Sequence, residues 1–229
     1  MIERDTELQI TSEPAIAYST CYRLPFLSLF HADCMEIMKQ YPDKYFDLAI
    51  VDPPYGIGIS SNPVRQQHEK KDWDNAIPTP EYFEQLFRVS KNQIIWGGNY
   101  FPLKPTQCFY IWDKKQPHDF SLAMCEMAWT SFSKPAKIWS LSVLKEKNKI
   151  HPTQKPVEIY DWILKNNVES GMKILDTHLG SGSIAIAIEK ANRLDKMNLH
   201  LTACEIDKEY IDKAIKRISE NIKQGTFSF

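Results

Sequence analysis

Strand-like and helix-like segments alternate along most of this chain, and this alternation restricts its fold more than any other feature. Phe46–Val51 is a nearly continuous apolar run, which is typical of a strand buried on both faces. Thr79 followed by Pro80 is a helix-start signal. The segments 109–112 and 125–132 are predicted to be antiparallel strand neighbours. Repeated strand–helix units predict a mostly parallel sheet with helices on both faces, built as one domain over residues 1–229.

The four residues after the first of these strands form a distinctive loop, Asp52-Pro53-Pro54-Tyr55, called here the 52–55 loop. Two prolines fix φ near −65° and remove two backbone donors, so the loop is stiff and its preceding carbonyls are free acceptors. A carboxylate, free carbonyls and an aromatic ring together suit a flat ring that bears an exocyclic amine. An ordinary proline-rich strand exit is the alternative interpretation of the same residues.

A second constellation follows the strand predicted at 173–175. Asp176 ends that strand and leads into the glycine turn, residues 177–183, which contains Gly180 and Gly182 and opens an apolar helix. Glu205 and Ile206 follow the next strand. A glycine-rich strand-to-helix turn lets a ligand approach the backbone, and a carboxylate at the tip of the next strand can bind two ribose hydroxyls.

Two cofactors use such an arrangement. The run from Gly180 to Ala185 matches the dinucleotide fingerprint, and Glu205 follows at the expected distance, so an NAD-dependent enzyme is one alternative. An anionic Asp176 would repel a pyrophosphate, however, whereas it suits the ammonium group of an amino acid. Ile206 offers an apolar side chain to an adenine. The residues therefore favour S-adenosylmethionine as the cofactor.

Three motifs occur in a specific order: Asp-Pro-Pro-Tyr at 52–55, His-Pro-Thr-Gln-Lys-Pro at 151–156, and Asp-x-x-x-Gly-x-Gly at 176–182. In this order they resemble the β-class amino-methyltransferases of DNA, which methylate adenine N6 or cytosine N4 and include restriction–modification and phage members. The resemblance covers roughly residues 30–222. It implies a Rossmann-like α/β methyltransferase fold, with a mostly parallel seven-stranded sheet that contains one antiparallel strand.

The resemblance also implies roles for individual residues. The predicted catalytic residues are Asp52, Pro53, Pro54 and Tyr55. The predicted cofactor-binding residues are Asp33, Asp52, Lys155, Asp176, Thr177, His178, Gly180, Gly182, Ser183, Glu205 and Ile206. Asp33 would bind the adenine amine, Asp176 and the two glycines the methionine part, Glu205 the ribose and Lys155 the methionine carboxylate. Thr177-His178 and Ser183 depart from the family, which commonly has Pro-Phe and Thr at these positions.

The implied reaction is direct methyl transfer to the amine of a base flipped out of DNA, without a cysteine nucleophile. Within the family, Asp at the first position of the 52–55 loop is associated mostly with adenine N6, so adenine is favoured over cytosine N4. A related enzyme acting on RNA or on a protein amide, or a non-catalytic nucleic-acid-binding module, are further alternatives. Dimerisation is frequent in the family, and nothing in the sequence decides it.

Composition limits the setting and the partners. Five cysteines are scattered without a C-x-x-C pair and six histidines are dispersed, so we expect no disulfide framework and no metal site. No signal peptide or membrane span is visible, and we expect a cytoplasmic protein. The net charge of −1 is not that of a whole-surface nucleic-acid binder.

Basic residues are nevertheless concentrated locally. Six lysines lie between positions 134 and 155 against the single acid Glu146. Five of these lysines belong to the segment 114–150, which is the candidate for target recognition. The residues predicted to contact nucleic acid are Lys114, Lys115, Lys134, Lys137 and Trp73. A solvated lysine-rich loop is the alternative for the lysines, and a core position is the alternative for Trp73.

Overall fold

The computed structural model describes residues 22–58, 74–117, 123–142 and 149–226. Within these ranges the chain forms one sheet of nine strands. The strands are β1 (Tyr22–Leu24), β2 (Leu27–His31), β3 (Phe46–Val51), β4 (Ser90–Trp96), β5 (Phe109–Asp113), β6 (Cys125–Thr130), β7 (Lys137–Ser140), β8 (Lys173–Asp176) and β9 (His200–Glu205). Their order across the sheet is β1-β2-β9-β8-β3-β4-β6-β5-β7.

The central part of the sheet is parallel, as the strand–helix alternation predicted. Strands β2, β9, β8, β3 and β4 pair in parallel, whereas β6 is antiparallel to both β4 and β5. The predicted fold class is confirmed. The predicted strand count of seven with one antiparallel strand is wrong, because β1 and β7 extend the two edges and β1 also runs antiparallel to its neighbour. Edge strands this short have too few residues to show a periodic apolar pattern.

Within the described ranges five α-helices cover the sheet: α1 (Cys34–Met38), α2 (Pro80–Val89), α3 (Val157–Asn167), α4 (Ser183–Asp195) and α5 (Lys208–Thr226). A short 3-10 helix, Gly98–Tyr100, follows β4. Asp33 caps α1 by accepting the Met35 N–H at 2.7 Å, and Pro80 opens α2 as predicted. Among the described residues, no helix combines the length and the apolarity that crossing a membrane requires.

The two faces of the sheet support separate apolar cores. On β3, Leu48 and Ile50 pack into the core shared with α3, α4 and α5, whereas Ala49 and Val51 face the core shared with α1 and α2. Because both faces are covered, the strand is apolar at nearly every position. The carboxyl ends of β3, β4, β8 and β9 meet at one edge of the sheet, where ligands of open α/β sheets bind.

Candidate active site

A cavity of about 330 Å³ opens at this edge of the sheet. Its wall combines the 52–55 loop, the segment before α3, the glycine turn and the loop after β9. Eight of the predicted catalytic and cofactor-binding residues line it: Asp52, Pro54, Lys155, His178, Gly180, Ser183, Glu205 and Ile206. The other predicted catalytic and cofactor-binding residues do not line it: Asp33, Pro53, Tyr55, Asp176, Thr177 and Gly182. The 52–55 loop and the glycine turn, far apart in the chain, therefore share one cavity of the size that small-molecule sites have.

The 52–55 loop is held by an acid that the sequence reasoning did not single out. The buried Asp74 carboxylate accepts the N–H of Tyr55 at 2.8 Å and the N–H of Gly56 at 2.9 Å. The Tyr55 hydroxyl in turn donates to Asp52 Oδ1 at 2.6 Å. Because the two prolines offer no N–H, Asp74 binds the first two backbone donors that follow them. The available signal was an Asp in the turn just before a helix start.

The ring of Tyr55 is enclosed by the loop after β4. Gly97 has φ +69°, and a Cβ atom there would lie 2.2 Å from the Tyr55 ring, so this position requires glycine. Tyr100 stacks on Tyr55 with 5.1 Å between ring centroids and 15° between ring planes. Tyr100 is also 43% exposed, so the stacked pair reaches the protein surface through Tyr100.

Four charged side chains form a buried ion cluster: Asp52, Lys155, Glu126 and Lys114. Lys155 Nζ lies 2.5 Å from Asp52 Oδ2, 3.1 Å from Glu126 Oε2 and 3.3 Å from the Tyr55 hydroxyl. Lys114 Nζ lies 2.6 Å from Glu126 Oε1. All four side chains are at most 23% exposed. The charges alternate in sign and sum to zero, which is how buried charges are tolerated.

The cluster changes the pKa values of its members. Burial alone would raise the pKa of Glu126, but the ammonium groups of Lys155 and Lys114 outweigh it and hold the pKa at about 2. Burial would lower the pKa of Lys155, yet the carboxylates of Asp52 and Glu126 raise it above its ordinary value. Burial also raises the pKa of Asp52, against the opposing charge of Lys155.

Two predicted roles differ from what the cluster contains. Lys155 was predicted to neutralise a ligand carboxylate, whereas its ammonium lies between the two carboxylates of the protein itself. Lys114 was predicted to contact nucleic acid, whereas its side chain is 10% exposed and paired with Glu126. Glu126, which the sequence reasoning missed, is an acid in an otherwise mostly apolar strand, and that contrast was the available signal.

The other predicted nucleic-acid residues lie at the surface or outside the described residues. Lys115 is 60% exposed and pairs with Asp113 at 2.9 Å. Lys134 and Lys137 are both exposed, and Lys137 Nζ donates to Asn166 at 2.6 Å. Trp73 lies outside the residues that the structure describes.

The glycine turn is fixed by its neighbours. The Glu205 carboxylate accepts the N–H of Gly180 at 2.9 Å and the N–H of Asp207 at 3.0 Å. Gly180 has φ +52°, and the atoms nearest to a Cβ there would belong to His151, 3.9 Å away across the cavity. The Ser183 hydroxyl donates to the Lys155 carbonyl at 2.7 Å, which ties the turn to the segment before α3.

Asp176 is an unusual carboxyl group at the base of the turn. It is buried, and its pKa is raised to about 8, chiefly by burial and also by the charges of Asp52 and Glu205, against the N–H of His178. A cationic ligand group beside such a carboxyl group would stabilise its ionised form and lower its pKa.

Comparisons with known proteins agree with this geometry. Residues 130–216 match the family model of N6/N4 DNA methylases, a range that includes Lys155, the glycine turn and Glu205. The chain is 22% identical over 252 residues to the Type II methyltransferase M.BglII of Bacillus subtilis, covering 83% of this chain and 68% of that protein. The resemblance to the DNA amino-methyltransferases is confirmed.

Two solved structures share the fold of this chain. The M1.HpyAVI–SAM complex superposes with a TM-score of 0.54 at 21% identity, covering 83% of this chain and 99% of that one. The cytosine-N4-specific PvuII DNA methyltransferase superposes with a TM-score of 0.60 at 10% identity, covering 91% of this chain and 95% of that one. The cofactor predicted from the sequence is thus the ligand named for one of these two structures.

Proposed function

We propose that this chain transfers a methyl group from S-adenosylmethionine to the exocyclic amine of a base flipped out of DNA, with adenine N6 as the favoured target. The proposal rests on Lys155. Its ammonium lies 2.5 Å from Asp52, and its carbonyl accepts the Ser183 hydroxyl at 2.7 Å. One residue therefore connects the loop suited to an amine with the turn suited to the cofactor.

The donor set fits the cofactor. Asp176, with its raised pKa, would pair with the ammonium of the methionine part, and the Glu205 carboxylate at the tip of β9 would bind the ribose. Ile206 is 64% exposed at the cavity wall, which leaves its apolar side chain available to an adenine ring. When bound, S-adenosylmethionine supplies a methyl group activated by its sulfonium.

Asp52 would hold the target amine. The two oxygens of its carboxylate are oriented by the Tyr55 hydroxyl on Oδ1 and by Lys155 on Oδ2, so the group is already positioned before a base arrives. An amine N–H donating to Asp52 directs the nitrogen lone pair toward the methyl donor. The raised pKa of Asp52 suits a group that takes the proton released as the amine is methylated.

Tyr55 would recover part of the cost of flipping. Extruding a base costs a few kcal/mol, and stacking on an aromatic ring returns roughly 1–3 kcal/mol.

Cytosine N4 is the second candidate target, because one of the structural neighbours is cytosine-N4-specific. Asp at the first position of the 52–55 loop supports adenine. The exposed Lys115, Lys134 and Lys137 would contact phosphates, within the target-recognition segment 114–150.

The test is incubation of the full chain with methyl-labelled S-adenosylmethionine and, in separate reactions, genomic DNA from a strain that lacks methylation, RNA or a protein extract. The labelled nucleosides and amino acids are then analysed. We expect label in N6-methyladenine. Label in N4-methylcytosine would replace adenine by the second candidate, and label in RNA or protein but not in DNA would overturn the proposal.

The variant Asp52→Ala is expected to abolish turnover while the chain still binds the cofactor. A matched control is Asp161→Asn, which breaks a surface pair between α3 and α4 and is expected to leave turnover unchanged. Near-native methylation by Asp52→Ala would show that the 52–55 loop does not hold the amine.

A further inference from the structure

A short chain of hydrogen bonds leads from α2 into the cavity. The Tyr82 hydroxyl lies 2.7 Å from Thr177 Oγ1, and Thr177 Oγ1 lies 2.9 Å from His178 Nδ1. Tyr82 and Thr177 are both 3% exposed, whereas the ring of His178 lines the cavity. This series of hydrogen bonds therefore begins in the core and ends at a nitrogen, His178 Nε2, for which the described residues provide no hydrogen-bond partner.

Counting hydrogens decides which nitrogen of His178 carries the proton. Each buried hydroxyl has one hydrogen, which needs an acceptor. If Tyr82 donates to Thr177, and Thr177 donates to His178 Nδ1, both hydrogens have acceptors. If Nδ1 instead donated to Thr177, the hydroxyl hydrogen of either Tyr82 or Thr177 would have no acceptor among the described residues. Nδ1 is therefore the acceptor, and Nε2 carries the N–H.

The ring of His178 is also uncharged and fixed in orientation. Burial lowers the pKa of His178 to about 4, against the opposing charge of Asp33, so the imidazole is neutral at physiological pH. Tyr82 meets the ring edge-on, with 5.5 Å between centroids and 66° between ring planes. The result is a single neutral N–H donor held in the wall of the cavity.

We propose that His178 Nε2 donates a hydrogen bond to a ring nitrogen of the cofactor's adenine and thereby selects that base. The inference rests on the proposed function, since it assumes that the cavity binds S-adenosylmethionine. The neighbours of His178 indicate that it faces the adenine of the cofactor and not the methionine part. The charge of Asp33 acts on the imidazole, Ile206 lines the same cavity, and both residues are expected to contact the adenine. The unprotonated ring nitrogens of adenine are acceptors, which a neutral N–H donor recognises. Phe, which the family commonly has at this position, offers no such donor.

The test is calorimetric binding of S-adenosylhomocysteine and of its 1-deaza, 3-deaza and 7-deaza adenine analogues to the full chain. We expect the wild type to bind one analogue roughly three- to tenfold more weakly than the parent, the loss expected for one hydrogen bond. His178→Phe should bind the parent more weakly by a similar factor and should bind that analogue and the parent equally.

Equal affinity of the wild type for all four compounds would overturn the inference and leave the proposed function intact. The same holds if His178→Phe still discriminates between the analogues. If the wild type binds none of the four compounds, the proposed function fails and the inference fails with it.

A second measurement does not depend on binding. Nitrogen NMR of the His178 ring in the wild type is expected to show a protonated Nε2 and an unprotonated Nδ1. Thr177→Val removes the hydroxyl that donates to Nδ1 and should release the ring to the other tautomer. Tyr82→Phe is the matched control: it leaves that hydroxyl in place and should not change the tautomer. A protonated Nδ1 in the wild type would refute the assignment.

Discussion

Replacing Glu126 by Gln removes the carboxylate that separates two buried lysines. In the structure that carboxylate lies 2.6 Å from Lys114 Nζ and 3.1 Å from Lys155 Nζ. The variant Glu126→Gln keeps the shape of the side chain but leaves the Lys114 ammonium without its carboxylate partner, in a position that is only 10% exposed. Removing one partner of a buried pair typically costs about 3–5 kcal/mol.

The pKa of Glu126 gives the same magnitude independently. A shift from 4.5 in the unfolded chain to about 2 in the folded chain corresponds to about 3 kcal/mol of stability. Because the folded-state pKa is depressed, this stability is fully present above pH 4.5 and is lost as the pH falls toward 2. We therefore expect the free energy of unfolding at pH 7 to fall by about 3 kcal/mol in Glu126→Gln, with a melting temperature about 6–12 °C lower.

Urea unfolding at pH 7, repeated at intervals down to pH 3, measures the loss of unfolding free energy and its dependence on pH. The difference between the wild type and Glu126→Gln should narrow below pH 4.5, as the wild-type carboxylate begins to take up protons. The control is Asp212→Asn, which breaks a pair with Lys208 whose side chains are 57% and 64% exposed, and which should cost less than about 1 kcal/mol.

A double variant tests whether the four charges act as one cluster. Adding Lys114→Met to Glu126→Gln removes the unpaired ammonium and should recover part of the lost stability. If Glu126→Gln costs no more than Asp212→Asn, or if the two cluster substitutions are simply additive, the four charges do not act as one cluster.

Three further predictions concern the site. Gly97→Ala places a Cβ atom 2.2 Å from the Tyr55 ring and should lower methyl transfer by about 100-fold or more in a single-turnover assay, whereas Gly171→Ala, with φ +82° but no atom within 4 Å, should leave it unchanged. Asp74→Asn weakens the acceptor of two loop amides and should lower methyl transfer with little change in cofactor affinity; equal rates in variant and wild type would contradict that role. Because the pKa of Asp176 is about 8 and a bound ammonium would lower it, cofactor affinity should rise with pH up to about 8, and calorimetry in two buffers at pH 7 should detect release of close to one proton; no release would contradict the pairing.

Local patterns along the chain were sufficient for most elements and for the motifs. Phe46–Val51 and the start of α2 at Pro80 agree with their sequence signals, because a strand covered on both faces is apolar along its length and a helix start depends on adjacent residues. The order of the three motifs was likewise enough to indicate the family.

The tertiary structure decided which of these residues meet and what each one does. Lys155 and Asp52 are 103 positions apart, and Lys155 also meets Glu126 on an antiparallel strand that no motif marked. Pairings of this kind depend on strand order and register, which bring together residues whose local sequence contains no trace of the contact. The same physics made Lys114 a buried ion-pair partner instead of a surface cation, because the charge of a side chain is visible in the sequence whereas its burial follows only from the packed sheet.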